Sequence, residues 1–257
     1  MMKIKSCLFL GLISLSYITS VSAIENIKDS ETLQINESFI HSQIENSSSV
    51  GIAVKSIVKH YPQQSAAIVS TTLDLYPDKY KEIIHAAISA QPAITGEIVT
   101  IAISKGISSC SSIVETAINA DPSYIDFIVT AAANATPEEL DEIVRIAVIT
   151  EPESADYIVR SLAKEHPNKV IDILSTAIST VPVVGQYVVE ALLAIFPNDA
   201  EDVITTAVRE SSSKRENVKK IIEAAYNSGI DTKELGIYAV NGGATNEEVK
   251  EVLDNNQ

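Results

Sequence analysis

All nine prolines of this 257-residue chain fall on one position of a 15-residue period: Pro62, Pro77, Pro92, Pro122, Pro137, Pro152, Pro167, Pro182 and Pro197. A repeat of fixed length constrains the fold before any side-chain chemistry is considered. Each unit is too short to bury its own apolar face and must stack on its neighbours. Written out, the register is Pro-x5-Ile-Val-x2-Ala-Ile-x3, and its eleven units begin at Ser47, Pro62, Pro77, Pro92, Ile107, Pro122, Pro137, Pro152, Pro167, Pro182 and Pro197.

With the first residue of each unit numbered 1, position 8 is aliphatic throughout, position 12 is always apolar, and position 7 is Ile or Val except at Ala53. Position 11 is Ala in seven units, from Ala87 to Ala207. Positions 4, 7, 8, 11 and 12 form the i, i+3, i+4, i+7, i+8 stripe of an amphipathic helix, whereas a strand would alternate with period 2. Proline suits the first helical turn, where its missing N–H costs nothing. Asp121 and Thr136, each preceding a proline, are expected N-caps. Acids gather early in the units (Glu138, Glu139, Asp156, Glu201) and bases late (Lys59, Lys105, Lys164, Arg209), as the helix dipole favours. Each unit is therefore expected to be a helix of about 12 residues. Two or three residues remain for the turn, so neighbouring helices are expected to run antiparallel.

A longer period lies under the first. Position 6 is Phe127, Tyr157 and Tyr187 in the sixth, eighth and tenth units, but Glu142, Asp172 and Asp202 in the seventh, ninth and eleventh. Position 4 is Tyr80, Cys110, Leu140 and Val170 in odd units and Ser65, Thr95, Ala155 and Gly185 in even ones. Odd and even helices thus present different faces, and the physical unit is a 30-residue hairpin with its two helices in separate layers. The fold class is an all-α solenoid of about eleven short helices, built on residues 47–211.

Around this body lie three other segments. Residues 1–23 carry Lys3 and Lys5, an apolar run from Cys7 to Leu15 and a Val21-Ser22-Ala23 close, the parts of a secretory signal peptide. The expected location is accordingly periplasmic or extracellular. Cleavage after Ala23 would take the net charge from −15 to −17, a surface that repels nucleic acid and anionic lipid. It would also leave Cys110 as the single cysteine, without a disulfide partner in the chain. Residues 24–46 read as a polar lead-in or cap with a short helix near 37–45. From Ser212 the register breaks, and residues 212–257 read as a helical cap. Two glycine-containing stops there precede Asp231 with Glu234 and Thr245 with Glu248, each a capping-box pair.

The motif Pro-x5-Ile-Val-x2-Ala-Ile, with its closing Gly-Ile-Asp and Gly-Gly-Ala-Thr segments, resembles a class of secreted, alanine-rich helical repeat proteins of Gram-negative bacteria. The resemblance covers residues 47–257 and implies an exported α-repeat protein, with no reaction or ligand attached. Isoleucine stands for many expected alanines, and Ser47 and Ile107 stand for proline. TPR and armadillo repeats have the wrong length.

Chemistry-bearing patterns are sparse. His41, His60, His85 and His166 occupy different repeat positions with no metal-ligand spacing, so no metal or cofactor is expected. Cys110, at an inward position, reads as a small core residue. No phosphate loop, G-x-S-x-G or H-E-x-x-H occurs, and the expectation is a non-enzymatic protein. Val181–Phe196 is the most apolar stretch after the N-terminal run, but Gln186, Glu190 and the register mark it as a core helix. The series Phe127, Tyr157, Tyr187 has two readings. Either the rings pack between successive even helices, or they form an exposed ladder for an extended peptide or glycan. The row Glu142, Asp172, Asp202 reads as a solvated face, or as a site for Ca2+ or a basic partner. Together these features point to a scaffold that binds a protein or extended polymer along its surface. The alternative is a structural subunit that self-associates into a filament or matrix.

Overall fold

The computed structural model describes residues 35–256; the signal-peptide expectation and residues 24–34 of the lead-in lie outside these residues. Fifteen α-helices and no strands are present among them. In chain order these are α1 (Glu37–Glu45), α2 (Val50–His60), α3 (Ser65–Leu75), α4 (Tyr80–Ala90), α5 (Thr95–Ser104), α6 (Cys110–Ala120), α7 (Ile125–Ala135) and α8 (Leu140–Thr150). There follow α9 (Ala155–Glu165), α10 (Val170–Thr180), α11 (Gly185–Ile195), α12 (Ala200–Glu210), α13 (Arg215–Asn227), α14 (Thr232–Asn241) and α15 (Asn246–Asn255). The helix expected near residues 37–45 is α1, capped by Asn36, whose side chain accepts from the Phe39 N–H at 2.9 Å.

Each proline opens a three-residue 3-10 turn, and the α-helix begins only at position 4. Position 15 is the whole joint between units. Its φ/ψ is near −126/60° at Tyr61 and −138/73° at Glu151, outside the α region because the proline that follows crowds it. Each joint residue serves two helices. The Glu151 N–H ends α8 on the Ala147 carbonyl at 2.9 Å, and its carbonyl accepts from the Ser154 N–H at 3.1 Å, starting the next unit. The turn is therefore shorter than the two or three residues expected, and one residue does not give a full reversal. The segments Pro77–Ala90 and Pro92–Ser104 bend by 119° rather than running antiparallel.

The two units without proline start differently. Ser49 and Ser109, both at position 3, cap α2 and α6 by accepting from the N–H of Ile52 and Ser112. Gly106, at φ 60°, ends the preceding unit in the left-handed region. Asp121 accepts from the Ser123 N–H at 3.1 Å, as a cap should. Thr136 does not cap. Its hydroxyl turns back to the Ala132 carbonyl at 3.0 Å and to Cys110 Sγ at 3.4 Å.

Packing follows the 30-residue period. The helices α2, α4, α6, α8, α10, α12 and α14 form one layer, and α1, α3, α5, α7, α9, α11, α13 and α15 the other, each helix lying against its second neighbour in sequence. The core is the stripe read from the register: Ile143, Val144, Ala147 and Val148 are fully buried, and so are their counterparts along most of the stack. All seven position-11 alanines are fully buried. The result is the α-solenoid expected from the repeat. No single helix among the described residues is long and apolar enough to cross a membrane, and the Val181–Phe196 stretch holds α11 with its stripe buried.

The C-terminal segment continues both layers by other means. Gly229 (φ 84°) and Gly243 (φ 101°) stop α13 and α14 in the left-handed region that favours glycine. Gly242 is required for a different reason: a Cβ there would lie 2.7 Å from both the Thr205 carbonyl oxygen and Val208 Cβ of α12. Thr245 and Glu248 form the full reciprocal capping box at α15. Asp231 caps α14 by accepting from the N–H groups of Lys233 and Glu234. Arg215 clamps α13 to α15, its Nε donating to Glu248 Oε1 at 2.6 Å and its Nη2 pairing with Oε2. That guanidinium holds the Glu248 carboxyl down to about 2, with hydrogen bonds from the Thr245 backbone and side chain adding to the effect. Shielding of the last apolar face is incomplete, since Ile237 and Val240 on α14 are 58% and 40% exposed beside Val249 and Leu253 of α15.

Candidate functional site: the ring-bearing layer

Phe127, Tyr157 and Tyr187 lie on α7, α9 and α11, three consecutive helices of one layer. They are 57%, 57% and 54% exposed. Position 6 falls outside the stripe 4, 7, 8, 11, 12, so the rings face outward and do not fill space between helices. The room left by small position-4 residues is closed otherwise. The Ser65 and Thr95 hydroxyls donate to the carbonyls of Pro62 and Pro92, both at 2.8 Å, and Ile221 packs 3.0 Å from where a Gly185 Cβ would stand. Adjacent helix axes in such packing lie about 8–10 Å apart, which sets the spacing of one ring from the next.

The three rings differ in their surroundings. Phe127 meets Tyr124 with centroids 6.0 Å apart and tilted planes. Over Tyr157 lies the Arg160 guanidinium, 4.9 Å from the ring centroid, and the same group donates to Asp156 Oδ2 at 2.9 Å. Beyond Tyr187 lies Lys220 of α13, whose pKa is raised mainly by its hydrogen bond and charge pairing with Glu216, with a smaller contribution from Tyr187.

A groove of about 430 Å3 crosses α5, α7 and α9 beside Phe127, lined by Gly96 of α5, Asp126, Thr130 and Asn134 of α7, and Ser161, Lys164 and Glu165 of α9. A Cβ at Gly96 would stand 3.5 Å from the Phe127 carbonyl oxygen, an ordinary contact between α5 and α7. A second groove, about 580 Å3, crosses α2, α4 and α6 of the opposite layer. It is lined by Gly51, Ile52, Lys55, Lys81, His85 and Glu115 among others. Neither groove stood out in the sequence, because each depends on which positions of alternate units come together. Small residues at position 5, Gly51 and Gly96, were the available signal.

The other singled-out residues stand apart from these surfaces. Glu142, Asp172 and Asp202 are exposed on α8, α10 and α12, with Glu142 3.4 Å from Arg145 and Asp172 2.9 Å from Lys169. No group of three or more His, Cys, Asp or Glu able to hold a metal occurs among the described residues. Cys110 is buried, and burial pushes its thiol pKa up, away from the reactive thiolate. His60 Nδ1 lies 2.8 Å from the Ser56 carbonyl oxygen of its own helix, and His41 sits 3.5 Å from Glu45. Comparison with protein-family models, with curated proteins and with solved structures gave no match.

Proposed function

We propose that this chain is an exported, non-enzymatic scaffold that holds an extended protein or polymer across the helices of its ring-bearing layer. The observation carrying this reading is the exposure of Phe127, Tyr157 and Tyr187, one per helix on three consecutive helices of that layer. Exposed aromatic rings are costly to leave in water, and they supply large contact area with few rotatable bonds, so they dominate many interfaces. Their repetition at one helix spacing suits a ligand that is itself extended. The test is a screen of the purified protein against peptide, glycan and peptidoglycan arrays, repeated with Tyr157→Ala and with all three rings changed to Ala. Loss of about tenfold in affinity for the single variant and of all detectable binding for the triple is expected. Undiminished binding by the triple variant would retire the ladder.

A second reading, end-to-end assembly, draws support from the apolar groove left open between α14 and α15 at Ile237 and Val240. Light scattering at rising concentration decides it, because a strict monomer ends the idea and mass growth that Ile237→Lys abolishes sustains it.

A further inference from the structure

The repeat lets one unit serve as the template for another. In the eighth unit, positions 5, 6 and 9 are Asp156, Tyr157 and Arg160, and they form a closed set: carboxylate, ring, and a guanidinium held between them at 2.9 Å and 4.9 Å. In the sixth unit the same positions are Asp126, Phe127 and Thr130. The helices α7 and α9 share length and register, so i, i+1 and i+4 place these side chains alike on both. The carboxylate and the ring are thus repeated while the cation is missing, and the groove opens at that point. Asp126 has no ion pair or hydrogen-bond partner among the described residues. Lys164, the one cation lining the groove, is not paired with it, and Glu165 beside Lys164 adds a second negative charge.

Resting on the ladder reading above, we infer that Asp126 and Phe127 form a socket for an arginine side chain of an extended, basic peptide, which would supply in trans the guanidinium that Arg160 supplies in cis one helix further on. Three physical terms favour that occupant. A guanidinium stacks on an aromatic face, donates to a carboxylate from its edge, and is weakly hydrated, so it enters a half-buried groove more readily than an ammonium. The net charge of −15 favours the approach of a cationic partner from a distance. Small Thr130 leaves the space that Arg160 occupies on α9.

The test uses a fluorescent peptide of alternating glycine and arginine, and a counterpart with every arginine replaced by neutral citrulline. At low salt the arginine peptide is expected to bind at least about tenfold more tightly. Thr130→Arg is expected to fill the socket in cis and reduce that binding at least fivefold, with an unchanged circular dichroism spectrum. Arg160→Thr is expected to open a second socket at Asp156 and Tyr157 and strengthen binding. Equal affinity for the two peptides, or full binding by a folded Thr130→Arg, overturns the inference. If the triple ring variant loses both peptides equally while Thr130→Arg loses neither, the ladder stands and the arginine socket falls. Failure of every array ligand in the broader screen is the separate outcome that removes the ladder itself.

Discussion

The repeat body and the C-terminal segment both turn the chain after every helix, but they use different parts. From Pro62 to Glu210 most joints are a single residue pushed out of the helical region by the proline that follows, and the stacking surface is the same stripe of aliphatic residues each time. Beyond α13 the joints carry left-handed glycines, Gly229 and Gly243. The packing there leans on particular contacts: Gly242 against α12, Arg215 with Glu248, and the Thr245 box. A repeated joint distributes stability over many equivalent interfaces, as in other stacked-repeat proteins. A segment with one copy of each device depends on each of them. The two regions should therefore respond differently to single substitutions.

The largest effect is expected in the body. Ile143→Ala empties a fully buried position-7 site and should cost about 2–5 kcal/mol, read by denaturant unfolding. If hydrogen exchange then shows loss of protection spreading evenly from α8 in both directions, the body behaves as coupled neighbours. Loss confined to the C-terminal segment would break the comparison. Gly242→Ala comes next, at about 1–3 kcal/mol, because the new Cβ meets backbone and a β-branched side chain rather than a flexible tip. Here α14 and α15 should lose exchange protection while α4–α9 keep theirs, and simultaneous loss everywhere would show a single cooperative unit.

Glu248→Gln is expected to weaken the same end by a comparable or smaller amount, since it removes the charge that pairs with Arg215 while keeping the shape. Its signature is pH dependence. The Glu248 carboxyl is held down to about 2 in the fold from an ordinary 4.5. The unfolded chain therefore binds the proton first, and the stabilisation is complete above about pH 4.5 and lost as pH falls towards 2. Wild type should lose this contribution across that window, whereas the Gln variant should lack it at every pH. Parallel acid titrations of the two proteins would remove Glu248 as the source. The smallest effect is expected from Pro152→Ala, about 0.4–1 kcal/mol through the unfolded chain, because the turn hydrogen bond from the Ser154 N–H to the Glu151 carbonyl does not involve the missing proline N–H. A loss several times larger would mean that the proline ring also makes native packing contacts beyond its restriction of the chain.

Several features were legible in the residues because they depend on spacing along one helix. The stripe at positions 4, 7, 8, 11 and 12, the buried alanine column, α1 at residues 37–45, and the capping pair Thr245 and Glu248 are of this kind. The alternation at position 6 placed Phe127, Tyr157 and Tyr187 on one layer, yet left open whether they faced the core. Thr136 shows the limit for caps. Its residue type suits a cap, but Cys110 of α6 and the Ala132 carbonyl take its hydroxyl instead.

The sequence by itself determined the helices, their register and the two-layer alternation, because proline geometry and apolar periodicity act locally and recur in nearly every unit. Only the tertiary structure decided the one-residue joints, the 119° bend between Pro77–Ala90 and Pro92–Ser104, the outward direction of the three rings, and the grooves on the two layers. Each of these depends on the angle at which one short helix meets the next. That angle is set by the packing of side chains from different units, here glycines and alanines against their second neighbours in the stack, and no single unit contains it.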